Sequence, residues 1–181
     1  NDIIFSSNVN AAITHDDYDI VDVTTVQAGV EYFVPNSDFY VNGQVGYWDS
    51  EGEDDFTYKA EVGYLPTAGL LVAAGLQDLG EDTDVTLRSK YVTKVSSYDV
   101  NFEAGVVFAD DEAFNLGADA YLDPTLSVGL GYTEAGYDVN SLDDAFNIRA
   151  KKFFSEQVSV EGKLAFGDDI NTYGIRAAYR F

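Results

Sequence analysis

From Phe56 to Leu65 the chain reads FTYKAEVGYL, and its side chains divide by simple alternation. Phe56, Tyr58, Ala60, Val62 and Tyr64 share one face, while Thr57, Lys59, Glu61 and Gly63 share the other. A period of two marks a strand with one apolar and one wet face; a helix would repeat about every 3.6 residues. Tyr98 to Phe108 behaves the same way, with Tyr98, Val100, Phe102, Ala104, Val106 and Phe108 set against Asp99, Asn101, Glu103 and Gly105, and Val158 to Phe166 repeats it. Applied along the whole chain, the test predicts twelve strands: Ile3–Thr14, Val21–Val34, Phe39–Trp48, Phe56–Leu65, Leu70–Gln77, Thr83–Val92, Tyr98–Phe108, Phe114–Leu122, Leu126–Tyr132, Ala145–Phe153, Gln157–Phe166 and Thr172–Phe181. In the second strand the apolar face changes phase near Thr24 and Thr25, which predicts a bulge there.

The connections alternate in character. PNSD, PTAG, TKVSS, DPT and FSE follow the even strands as short turns. HDDYD, DSEGEDD, DLGED, ADDEA, TEAGYDVNSLDD and GDDIN follow the odd ones; they hold most of the 32 acidic residues and no lysine or arginine. One end of the molecule is therefore heavily anionic. An even number of antiparallel strands, with both termini at the short-turn end, is what a closed transmembrane barrel requires. In lipid every backbone N–H and C=O must be paired within the protein, so a sheet can span only if it closes and leaves no edge. Phe39, Tyr47, Phe56, Tyr64, Tyr91, Tyr98, Phe108, Phe114, Tyr132, Phe146, Phe166, Tyr173 and Phe181 all fall near strand ends on the apolar face, where interfacial aromatic girdles belong. The competing reading is a soluble β-barrel or sandwich whose apolar alternates fill a core. Charges in the middle of the opposite face, and large aromatics at strand ends, weigh against it.

Composition removes other classes. With 10 basic and 32 acidic residues, net -22, the chain lacks the basic surface that nucleic acid needs. The absence of cysteine excludes disulfides and thiolate metal sites. No linker-like stretch divides the 181 residues, so 1–181 reads as one domain. The chain opens on Asn1 without a leader and reads as a mature form whose export signal was removed. Its longest mostly apolar run, GLLVAAGL from Gly69 to Leu76, falls short of the roughly 20 residues a membrane helix needs.

The final stretch, TYGIRAAYRF, puts Tyr173, Ile175, Ala177, Tyr179 and Phe181 on one face and Arg176 and Arg180 on the other. Tyr179 and the last residue, Phe181, resemble the C-terminal insertion signal of Gram-negative outer-membrane barrels. With the hairpin pattern, the whole chain resembles a small porin-like barrel of that class. The fold expected is an all-β transmembrane antiparallel barrel, an up-and-down meander integral to the outer membrane, with acidic loops extracellular and termini periplasmic. Its expected partners are membrane lipid and lipopolysaccharide, reached through divalent cations, the barrel-assembly machinery, and a larger outer-membrane complex. Its expected role is passive diffusion of small hydrophilic solutes or ions; a non-conducting structural or interaction barrel is the alternative.

Charge placement then points to the lumen. Lys59, Arg88, Lys90, Arg149, Lys151, Lys163, Arg176 and Arg180 have lumen parity, which leaves Lys94 in a turn and Lys152 at a strand end. Glu31, Glu61, Asp99, Glu103, Asp119 and Glu161 share that parity. The predicted pore lining is Lys59, Glu61, Arg88, Lys90, Glu103, Asp119, Arg149, Lys151, Glu161, Lys163, Arg176 and Arg180. The last three strands are basic, whereas the seventh and eighth carry Asp99, Glu103 and Asp119, so a basic wall is expected to face an acidic one across the bore, as in general diffusion porins. The alternative is cross-strand salt bridges that fill a narrow lumen. Inward parity also falls on Gly29, Gly46, Gly63, Gly75, Gly105, Gly117, Gly129, Gly131 and Gly174, and no loop is long enough to serve as a plug. Barrels of about eight strands are filled by side chains and those of about sixteen hold a wide channel, so a narrow aqueous pore is expected.

Asp49, Glu51, Glu53, Asp54 and Asp55 are hard oxygen ligands, but they sit in no helix-flanked calcium loop. A solvated rim bridged by Mg²⁺ or Ca²⁺ to lipopolysaccharide phosphates is expected rather than a defined metal site. The single histidine, His15, stands in the first acidic loop, roughly 25 Å along the strand from Ser6 and Ser7. It lacks a positioned nucleophile, so no catalytic residue and no cofactor are expected.

Overall fold

The computed structural model describes residues 5–78, 82–109, 112–135, 145–167 and 170–181. Its twelve strands are β1 (Asn8–Tyr18), β2 (Asp22–Phe33), β3 (Phe39–Ser50), β4 (Glu53–Thr67), β5 (Leu70–Asp78), β6 (Thr83–Val95), β7 (Tyr98–Phe108), β8 (Ala113–Asp123), β9 (Leu126–Ala135), β10 (Ala145–Phe153), β11 (Val158–Gly167) and β12 (Ile170–Arg180). Each pairs antiparallel with its neighbour in the chain, and β1 pairs with β12, so the meander closes on itself and no edge is left.

Three details depart from the sequence pattern. The first strand begins at Asn8 rather than Ile3, because Phe5 leaves the wall and turns inward, its ring 5.8 Å from that of Phe33. The bulge expected near Thr24 and Thr25 is not there: β1 and β2 run in unbroken register from Asp17 opposite Asp22 to Asn8 opposite Glu31. The phase change arises because Val23, near the acidic end, faces inward. Register shifts occur instead at the short-turn ends of β4–β5, between Tyr64 and Thr67, and of β8–β9, between Tyr121 and Asp123. Pro66, which cannot donate to the ladder, occupies the first of them.

Two of the acidic connections are shorter than the pattern suggests. β3 and β4 leave only Glu51 and Gly52 as a turn, with φ of 48° and 93°, the left-handed pair that a two-residue hairpin needs. The neighbouring acids stand on strands, with Asp49 opposite Asp54 and Asp17 opposite Asp22. The central parts of DLGED, ADDEA, TEAGYDVNSLDD and GDDIN, together with Ile3 and Ile4, lie outside the described residues.

The apolar alternates form the outer surface, with Phe56 74% and Ile175 64% exposed. Aromatic rings gather at both ends of this belt. Phe39 packs against Tyr64 at the short-turn end, and Tyr47 against Phe56 at the other. Phe39 and Tyr47 on β3, and Tyr98 and Phe108 on β7, are eight to ten residues apart. At about 3.3 Å per residue and a tilt near 40°, that separation is roughly 20–25 Å along the barrel axis, close to the apolar band of an outer-membrane barrel. A soluble core would bury these groups, and here they face out.

Candidate functional site

Wall-lying side chains. The inward glycines do more than thin the wall. Gly63, Gly105, Gly117, Gly129 and Gly131 leave slots in which a side chain from another strand lies flat. Arg149 of β10 crosses Gly129 of β9 and reaches Gly117 of β8; a Cβ at either glycine would stand only 2.9 Å or 2.6 Å from its guanidinium. Lying there, Arg149 donates through Nε to Asp119 Oδ1 at 2.6 Å and through Nη2 to Oδ2 at 2.8 Å. Asn147 lies over Gly131, Asn115 over Gly105 and Tyr40 over Gly63 in the same way.

The other side of the lumen holds a connected polar network. Arg88 of β6 donates to Glu61 of β4 through Nη2 at 2.6 Å and Nε at 3.2 Å, and through Nη1 to Glu103 of β7 at 3.5 Å. Its Nη2 also reaches the Tyr40 hydroxyl at 3.0 Å, which in turn donates to Glu31 at 2.8 Å. Asn8 donates to the other oxygen of Glu31 at 2.8 Å, Asn42 donates to Glu61 at 3.2 Å, and Lys59 Nζ stands 3.9 Å from Glu61. Towards the short turns, Tyr40, Leu71 and Ala73 form the one buried apolar cluster among the described residues, with Phe5, Phe33 and Leu65 packed on it. This side of the bore is closed by side chains.

The opposite side is open. A cavity of about 310 Å³ runs along β10–β12 from Arg149 and Lys163 to Ser6, Gln157 and Arg180 at the short-turn end, and Glu31, Arg88, Lys90, Glu103 and Asp119 line it from across the lumen. A larger hollow of about 1190 Å³ lies chiefly among outward apolar residues such as Ile13, Leu130 and Ile175, on the lipid face rather than in the bore. Lys151 stands over the rings of Tyr121 and Phe153, and Arg180 over Phe153, with a hydrogen bond to the Glu156 carbonyl. Lys90, Lys163 and Arg176 make no hydrogen bond or ion pair with any described residue. Glu161 stands in register between Lys151 and Arg176 and pairs with neither.

All twelve residues of the predicted lining point inward, but they do not make two simple facing walls. Arg149 leaves the basic side to hold Asp119, and Arg88 holds Glu61 and Glu103, so three of the acidic groups are tied down, while Glu161 among the acids and Lys90, Lys163 and Arg176 among the cations make no ion pair with a described residue. Sequence reasoning missed the roles of Tyr40, Phe33 and Phe5. A signal existed: Phe33 and Tyr40 both carry lumen parity and flank one short turn, an odd place for two aromatics in an aqueous bore. Tyr179 and Phe181 face outward, and the Phe181 amide donates to the Ser7 carbonyl at 3.0 Å, which extends the β1–β12 seam. His15 also faces outward, its Nδ1 3.0 Å from Thr24 Oγ1. Ser7 Oγ, at the other end of the barrel, accepts from the Phe33 amide.

No protein-family model matches the chain, and no curated protein matches it in sequence. Solved structures match closely in shape. The Acinetobacter baumannii outer membrane protein Omp33 superposes with a TM-score of 0.63 over 97% of this chain and 98% of that one, at 22% identity. The KdgM porin in complex with disordered oligogalacturonate gives 0.71 over 96% and 99%, at 10% identity. The fold is that of a small, porin-like outer-membrane β-barrel. The beta domain of the Bordetella autotransporter Brka gives 0.68 over 97% and 98%, at 12% identity, so this likeness specifies the barrel fold and not a cargo.

Proposed function

We propose that this barrel is a passive diffusion channel for small hydrophilic solutes or ions across the outer membrane. One observation carries the reading: Arg176 points into the bore at the middle of β12 and is still exposed to solvent. An inward side chain in a filled barrel would be buried, as Glu61 is across the lumen. The bore is therefore wet along β10–β12, where wall-lying side chains keep clear of its axis. Conductance in planar bilayers tests the proposal. Discrete steps are expected from the purified protein, and their absence would remove the channel.

In this reading the acidic end faces outward from the cell and the termini face the periplasm. Asp49 and Asp54, opposite each other on protruding strands, would meet lipopolysaccharide phosphates through divalent cations. Tyr179 and Phe181 would be read by the assembly machinery.

A second reading, a non-conducting structural or interaction barrel within a larger outer-membrane assembly, is favoured by the apolar cluster around Tyr40 and Leu71, which blocks part of the short-turn end. The same bilayer recording separates the two.

A further inference from the structure

We propose that Lys163, Arg176 and Lys90 form a binding subsite for a compact dianion, a short dicarboxylate or a phosphate, inside the lumen. The channel reading enters only as the route by which the ligand arrives. The argument starts from which charges are already committed. Glu61 and Glu103 are paired with Arg88, and Asp119 with both nitrogens of Arg149; Glu31 accepts from the neutral Tyr40 and Asn8, keeps its charge and faces Lys90 and Arg176. Lys151 and Arg180 rest on aromatic rings. Lys90, Lys163 and Arg176 face the same cavity without a hydrogen bond or ion pair to any described residue, and the carboxylates there that are not held by an arginine are two, Glu31 and Glu161.

Register makes the local excess plain. Lys163 lies directly opposite Arg149, a like charge, and on its other side opposite Gly174, which offers nothing. The one carboxylate on that wall, Glu161, sits between Lys151 and Arg176. Lys90 and Lys163 are partly withdrawn from water and Arg176 is solvated beside them, so the cations exceed the carboxylates left to balance them. A soluble anion completes the set. Arg176 presents a fork suited to a carboxylate or phosphate edge, and the lysines add point charges. A cavity of about 310 Å³ holds one compact ion with part of its hydration. Ser6, Gln157 and Arg180 carry the cavity to the short-turn end, away from the acidic rim that would repel such a ligand.

Calorimetric titration of the full chain in detergent, in low-chloride buffer, tests this with succinate and inorganic phosphate in separate arms and succinamide as the uncharged analogue. Saturable binding of either dianion, with none of succinamide, is expected. The arm that saturates shows whether carboxylate or phosphate is the ligand, and saturation in both assigns recognition to charge alone. Lys163→Gln combined with Arg176→Gln should weaken binding at least tenfold, while Lys94→Gln, whose salt bridge with Asp99 lies outside the cavity, should not change it. Where the double variant does not fold, Arg176→Gln alone is read, because that solvated side chain supports no packing. No saturation by either dianion, or unchanged affinity in a folded variant, overturns the proposal. Binding without conductance would remove the channel and keep the subsite; conductance without binding would do the reverse.

Discussion

Arg149 grips Asp119 across the bare backbone of Gly129, with its Nε 2.6 Å from Oδ1 and its Nη2 2.8 Å from Oδ2. The two charged residues sit on β10 and β8, with the whole of β9 between them. The pair exists only because the strand between them offers no side chain at the crossing. It also neutralises a cation that would otherwise stand in the bore.

Adding one methyl group there should separate the pair. Gly129→Ala places a carbon against Asp119 and Arg149, with the Ala118 carbonyl 2.9 Å away, so the strand cannot simply accommodate it. A loss of about 1–3 kcal/mol is expected from overpacking. Gly43→Ala, which meets nothing within 4 Å, should cost far less. Urea unfolding of both variants in detergent micelles provides the comparison, and equal midpoints would refute the slot.

Glu61 is the most exposed to the loss of a partner in energetic terms, since its side chain has no solvent contact. Arg88→Met should destabilise the barrel by about 3–5 kcal/mol, because it strands that carboxylate and removes the ion pair of Glu103. Adding Glu61→Gln to Arg88→Met should recover much of the loss. If the double variant is no more stable than the single one, the penalty lies elsewhere than in an unpaired buried charge.

Phe5 narrows the short-turn mouth by packing on the Phe33, Tyr40 and Leu71 cluster. Phe5→Ala should therefore raise single-channel conductance with little change in ion preference, as this cluster carries no net charge. A current identical to that of the parent protein would show that the constriction lies at another level of the bore.

Arg176 should set the sign of selectivity where the lumen is wet. Arg176→Glu is expected to move the reversal potential under a salt gradient towards cations. Asp49→Lys, on the rim, should change it much less at about 0.15 M salt, where the screening length is about 8 Å. Equal shifts from the two would mean that the acidic end, and not the cavity, controls passage.

Phe181 caps the seam between β12 and the chain ahead of β1, and its ring is 62% exposed on the lipid face. Phe181→Ser should lower the fraction of protein that assembles into the heat-modifiable folded form in cells, with little effect on the stability of barrels already formed. A proportional loss in both would make the residue a packing group rather than a recognition element.

Alternation is a local property, and for that reason the chain alone determined much of this protein. Successive residues of a strand must point to opposite faces, so the sorting of Phe56, Tyr58 and Val62 from Lys59 and Glu61 reads directly as outside and inside. Short turns alternating with acidic ones then required an even, closed meander, and every lumen charge could be assigned its side. Which of those charges meet was decided by the tertiary structure. Arg149 and Asp119 meet because the registers of β8–β9 and β9–β10 set both opposite Gly129, and Arg88 and Tyr40 because the sheet curves β6 towards β3; glycines at the crossings let long side chains lie flat. The inward turn of Phe5 was equally invisible in the pattern, because Phe5 continues the outward parity of Val9 and Ile13 and abandons it only to fill the space beside Phe33 and Tyr40.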